Sequence, residues 1–162
     1  MLARLPAPLH RLALKLAHRL RLGWWALRRP DIHGCNAIVR NAAGAILLVR
    51  HSYQAPETWM LPGGGLNRGE SPEAAAQREM LEEVSCRLVD PVCFGVDLAP
   101  LAGARNHIHL VAARTADPPR ADGREVLEAR FFAPEALPPG ITETARRRIA
   151  RWLAHHSSGS LG

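Results

Sequence analysis

Glu70, Arg78, Glu79, Glu82 and Glu83 fall within one short stretch of this chain. Three consecutive glycines, Gly63, Gly64 and Gly65, stand just before them. Residues 72–84 are predicted as a helix. Ser71 is a good N-cap, and Pro72 at the first helical position gives up an amide that would lack a partner anyway. At about 100° per residue, Ala76, Met80 and Val84 form an apolar stripe that can pack on a sheet. Glu79, Glu82 and Glu83, at i, i+3 and i+4, cluster on the adjoining stripe, where their carboxylates repel. Such a group on a half-buried helix calls for positive charge. A hard divalent cation answers this, because Mg²⁺ takes oxygen ligands and completes its shell with substrate phosphates. Glycines let backbone approach a ligand closely and offer carbonyls and amides to metal or phosphate.

Each half has a plainer reading. An acidic helix alone is more often a solvated face, here balanced by Arg78, and a glycine-rich loop alone is equally unspecific. The two in series, with Glu70 between them, resist a purely structural account.

Gly64, five residues, Glu70, seven residues and then Arg78-Glu79-Met80-Leu81-Glu82-Glu83-Val84 resembles the Nudix box, G-x5-E-x7-R-E-U-x-E-E-x-G-U. Every charged position is matched. The resemblance extends outward to Trp59-Met60-Leu61-Pro62-Gly63-Gly64, to the strand ending Leu47-Leu48-Val49-Arg50, and to Glu125–Phe132 followed by Leu137-Pro138. One position departs: Ser85 stands where the box has its second glycine, and Cys86 follows at an aliphatic position. That glycine ends the helix at positive φ, so the departure bears on stability more than on chemistry.

The resemblance implies a Mg²⁺-dependent hydrolase, with Mn²⁺ as a substitute, cleaving a phosphoanhydride bond of a nucleoside diphosphate linked to another moiety. It makes Glu82 and Glu83 the leading metal ligands, assisted by the carbonyl of Gly63 or Gly64. Glu79 becomes a ligand or the base that activates water, and Glu70 a supporting carboxylate or a ligand for a further ion. Arg78 orients the glutamates and completes a catalytic set with Glu79 and Glu82. A later acidic residue is also expected, with Glu125 the first choice and Glu128 the second; a pair of charges on an exposed strand is the plainer alternative. Arg50, Tyr53, His107 and His109 are candidate substrate contacts, and His51 a further one for a base. Two rival functions are a catalytically inactive nucleotide-binding or regulatory module on the same fold, and isomerase chemistry on prenyl diphosphates. Loss of part of the Glu82-Glu83 pair would favour the first, and both are present; no paired Cys and Glu supports the second.

These residues need a scaffold. Strands are predicted at about 32–40, 45–50, 87–98, 106–114 and 126–132, and a last helix at about 142–155. Residues 45–50, AILLVR, are apolar enough to be buried on both faces. The pattern suggests an α+β fold, an α/β/α sandwich with a mixed sheet between helices. The domain is expected over 31–156, after a basic amphipathic helix in 1–30 and before a frayed tail at 157–162.

The chain's 162 residues, 47% apolar and 22% charged, suit one globular domain. The net charge of +6 is uneven: residues 1–30 carry seven basic side chains and no acidic one, which leaves −1 for residues 31–162. A domain-wide nucleic-acid surface is therefore not expected, and a nucleotide-type small molecule is. Three cysteines, Cys35, Cys86 and Cys93, form no metal-ligand spacing or disulfide framework, which fits a reducing, cytoplasmic setting. No apolar run approaches the ~20 residues of a membrane span.

Within 9–28, Leu9, Leu12, Leu16, Leu20, Trp24 and Leu27 share one helical face. Packing on the domain, or on a second copy in a homodimer, is expected; peripheral membrane contact through Trp24, Trp25 and the arginines is the alternative. Deleting residues 1–28 should change oligomer size or stability and leave liposome binding at background, as measured by light scattering and vesicle sedimentation.

Overall fold

The computed structural model describes residues 31–99 and 105–157. The helix expected over 9–28 and the tail after Ser157 lie outside the described residues. Five strands form one mixed sheet: β1 (Asp31–Arg40), β2 (Ile46–His51), β3 (Val89–Leu98), β4 (Arg105–Arg114) and β5 (Val126–Phe132), in the order β3-β4-β1-β2-β5. β1 runs parallel to β4, and the remaining neighbours are antiparallel. Helix α1 (Pro72–Val84) covers one face, and α2 (Glu143–Ser157) covers the other. This is the expected α/β/α sandwich.

Alternation along β2 sorts the core. Leu47 and Val49 pack with Ala76, Met80 and Val84 of α1, while Ile46 and Leu48 pack with Ile149 and Trp152 of α2. All four β2 residues are fully buried. Each such burial contributes roughly 1.5–3 kcal/mol, so this strand anchors both layers.

β1 and β2 stay paired only near their turn, at Arg40 and Ile46. Beyond it they diverge, and the segment from Met60 to Leu66 fills the gap. Val49 and Met60 exchange both backbone hydrogen bonds, at 2.9 and 3.0 Å. On the other side, Ala37 N–H donates to Pro62 O at 2.9 Å, Cys35 N–H to Gly64 O at 2.8 Å, and Leu66 N–H to His33 O at 3.0 Å. The glycine-rich loop is thereby part of the sheet.

β3 begins at Val89 rather than Arg87 because side chains take the earlier amides: Arg87 N–H donates to Asp117 Oδ2 at 2.7 Å, and Leu88 N–H to Gln77 Oε1 at 2.9 Å. β3 is an edge strand with two register shifts, and it carries Pro91 beside Asp90 at φ +49°.

The α1 caps follow the sequence. Ser71 Oγ accepts from Ala74 N–H at 3.1 Å, and Ser85 adopts the left-handed conformation at φ 57°, with its amide and that of Cys86 both directed to Met80 O. A non-glycine residue there costs about 1–2 kcal/mol, partly offset by glycine's larger entropy loss. Ser85→Gly should therefore stabilise the fold by about 0.5–1 kcal/mol and raise Tm by about 2–6 °C in calorimetry.

Candidate active site

Arg78 organises the mouth of the glycine loop. Its Nε and Nη2 donate to the two oxygens of Glu70, both at 2.9 Å, in a bidentate pair. Nη2 also donates to Gly65 O at 2.9 Å, and Nη1 donates to Glu79 Oε1 at 2.7 Å. Glu82 lies 3.7 Å away and is largely exposed. The guanidinium and the Asn67 amide hold the Glu70 carboxyl down to about 2, and the guanidinium is itself pushed up. Arg78 thus ties loop to helix, with its donors committed to protein groups.

Close approach explains two glycines. Gly63 has φ +151°, and a Cβ there would lie 2.1 Å from Cys35 O. A Cβ on Gly64 would lie 2.2 Å from Glu79 Oε1. Gly64 O is used by Cys35 and Gly65 O by Arg78; among the described residues, Gly63 O has no protein donor.

Glu83 turns toward the core and is 6% exposed, although it is a carboxylate. Its Oε2 is buried without a hydrogen-bond partner. Burial pushes its carboxyl up to about 9, with Glu79, Glu125, Asp122 and Glu82 adding repulsion. One ligand atom from each of Glu83, Glu125 and His51 lies within 4.8 Å of the other two. Asp122 sets the place of Glu125: its Oδ1 accepts from the amides of Arg124, Glu125 and Val126 at 3.0, 3.1 and 2.8 Å. His51 is 4% exposed and stacks on Tyr53 with ring centroids 4.9 Å apart. Burial lowers its imidazole to about 4, so the ring is neutral at neutral pH.

A cavity of about 340 Å³ adjoins this cluster through His51 and Gly63, and is also lined by Asn36, Tyr53, Thr142 and Arg148. Arg148 is fixed at its base by Asn36 Oδ1 at 2.5 Å and Asp97 Oδ2 at 2.9 Å.

The NUDIX domain family matches residues 33–153 of this chain. The chain belongs to the Nudix family. Over 58 residues it is 41% identical to an RNA pyrophosphohydrolase of Rhodospirillum rubrum, covering 36% of this chain and 34% of that protein. Over 116 residues it is 34% identical to a Bacillus subtilis protein named as a candidate 8-oxo-dGTP diphosphatase, covering 72% of this chain and 76% of that one. The crystal structure of a MutT NUDIX hydrolase from Burkholderia pseudomallei superposes with a TM-score of 0.64 at 28% identity, over 75% of this chain and 96% of that one. The match therefore spans about a third of the first relative and most of the other two. Family and names together support a pyrophosphohydrolase type of enzyme, and Nudix hydrolases generally use a divalent metal.

The Nudix residues expected to act together divide into three places. Glu79, Glu83 and Glu125 face one another electrostatically, with Glu82 at the solvent edge. Arg50 lies elsewhere, paired with Glu57 at 2.5 Å and with Glu128 at 2.9 Å, which also occupies the second-choice acid. His107 and His109 stack with His33 at 4.8 and 5.5 Å, and His33 and His109 line a separate groove beside Glu70 and Asn67. Asp122 was not singled out from sequence, and His51 was singled out only as a contact for a base. Asp122-Gly123 is an ordinary turn signal, whereas His51 beside Glu83 is a tertiary juxtaposition.

A carboxyl raised from 4.5 to about 9 contributes stability that is full below pH 4.5 and is lost as pH climbs toward 9. In EDTA, Glu83→Gln should therefore melt higher than the parent at pH 8, with a smaller gap at pH 5. Parallel melting curves at both pH values would show that the carboxyl is not strained by burial.

Proposed function

We propose that this Nudix protein hydrolyses a phosphoanhydride bond of a free nucleotide, with a divalent cation, Mg²⁺ or Mn²⁺, held by Glu83, Glu79, Glu82, Glu125 and the Gly63 carbonyl. The observation that carries this reading is the unpartnered buried oxygen of Glu83, set among four other acidic groups. The only cation in direct contact with the box glutamates among the described residues, Arg78, is committed to Glu70, Glu79 and Gly65. Carboxylates in that state suit a hard cation, and its absence would leave their repulsion uncompensated.

A bound cation would offset charge on the bridging phosphates and lower the pKa of a bound water. The chain supplies the rest. Arg78 is a positioning residue that fixes Glu70 and Glu79 against the loop. Because Arg78 takes Glu79 Oε1, Oε2 remains either to ligate the cation or to receive the proton from an attacking water. The cavity beside Tyr53 is within the usual range of ligand pockets, roughly 300–1,000 Å³, and gives the base an aromatic neighbour. A free nucleotide is favoured over an RNA end because the relative matched over most of its length is named for 8-oxo-dGTP, whereas the match to the RNA pyrophosphohydrolase spans 34% of that protein. Among the described residues no helix is long and apolar enough to cross a membrane. With three free thiols, a reducing compartment such as the cytoplasm fits the chain.

The test is release of phosphate or pyrophosphate from nucleoside triphosphates, 8-oxo-dGTP, ADP-ribose, dinucleoside polyphosphates and 5′-triphosphorylated RNA, with Mg²⁺, with Mn²⁺ and with EDTA. Turnover should require the cation and favour free nucleotides. Glu82→Gln and Glu83→Gln should each lower kcat by about a hundredfold or more with the fold retained. Parent-like rates in both variants would remove the assignment. Nucleotide binding without turnover on any substrate would instead establish a non-catalytic module.

A further inference from the structure

The orphaned atoms around Glu83 include a nitrogen. His51 ends β2 at a register shift in its pairing with β5, beside Glu83 of α1 and at the rim of the cavity that α2 also lines. Its Nδ1 is buried with no hydrogen-bond partner, as is Glu83 Oε2. A backbone hydrogen bond with Glu125 steadies the ring. Nδ1 is thus the ring nitrogen left to meet an ion. A backbone bond on one ring nitrogen that orients the other is how metal-binding imidazoles are held.

We propose that His51 is an inner-sphere nitrogen ligand of the cation site, together with Glu83 and Glu125, and that this donor shifts the site's preference from Mg²⁺ toward Mn²⁺ and Co²⁺. The inference rests on the cation reading given above and deepens it. The three ligand atoms already lie within 4.8 Å of one another. Donors sharing one ion at bonds of about 2.1 Å sit at most about 4.2 Å apart, so a small contraction completes the set. One ion satisfies both buried orphans at once. Carboxylate and carbonyl donors alone suit Mg²⁺, which dehydrates reluctantly; an imidazole raises affinity for later divalent metals along the first-row series. His33, His107 and His109 form the other imidazole group among the described residues, around the groove beside Glu70, and serve as the internal control.

The experiment uses the full chain loaded with one equivalent of Mn²⁺ and pulsed EPR to read nitrogen coupled to the ion. The parent should show ¹⁴N modulation that converts to the ¹⁵N pattern when the protein carries ¹⁵N-histidine. The modulation should persist in His109→Ala and vanish in His51→Gln. Mg²⁺ competition should show the Mn²⁺-over-Mg²⁺ preference falling by about tenfold or more in His51→Gln. Bound Mn²⁺ without histidine coupling in the parent would overturn the role of His51 and leave the carboxylate site standing. Coupling lost in His109→Ala but kept in His51→Gln would also overturn it, by moving the nitrogen to the other group. Mn²⁺ that stays fully hydrated and unbound would overturn this inference and the cation site together. The parent and isotope measurements decide the matter even if His51→Gln folds poorly.

Discussion

Uncompensated negative charge around a buried carboxyl is the constraint that organises this molecule. Glu79, Glu82, Glu83, Asp122 and Glu125 act on one another across a small volume, and Glu83 is largely withdrawn from water. A guanidinium is close by, yet it is directed to Glu70, the loop carbonyl and one oxygen of Glu79. Arg78 thus rigidifies the surroundings without neutralising Glu83. Charge geometry of this kind suits the cation proposed above. It is the reverse of a structural ion-pair network, in which each acid would have its own base.

The sheet supports this by an unusual use of backbone. Because β1 and β2 diverge, the loop Met60–Leu66 is hydrogen-bonded to strands on both sides. Two of its glycines then have no freedom to be anything else: Gly63 abuts Cys35 O and Gly64 abuts the Glu79 carboxyl. Loop, helix and sheet meet within one hydrogen-bonded unit, so a displacement at Gly64 would displace Glu79 directly. Positioning at this precision is what hydrolysis by an activated water needs.

Much of this was legible in the sequence because it depends on local physics. The apolar run of β2 announced burial on both faces, Ser71-Pro72 announced the start of α1, and the box spacing announced Arg78 with its glutamates. Ser85 replaces glycine but still takes the left-handed conformation, so the helix end was readable despite the exchanged residue. What the sequence hid was unequal depth. Glu79, Glu82 and Glu83 share a helical stripe, yet only the packing of α1 on β2 makes Glu83 buried while Glu82 stays in solvent. The fate of Arg50 depended on Glu57 and Glu128, which come from a loop and from β5, and the place of His51 depended on the loop before β5. Long-range meetings of this sort have no signature in spacing.

The irregular outer strand has a consequence of its own. Among the described residues no strand lies beyond β3, which exposes Val92 and Leu98, a combination that would ordinarily invite another chain to extend the sheet. Pro91 offers no amide, Asp90 is turned to positive φ, and the ladder slips twice. A foreign strand laid along this border would find its hydrogen bonds out of step within a few residues. The kinks that look like imperfections therefore guard the molecule against fibrillar stacking.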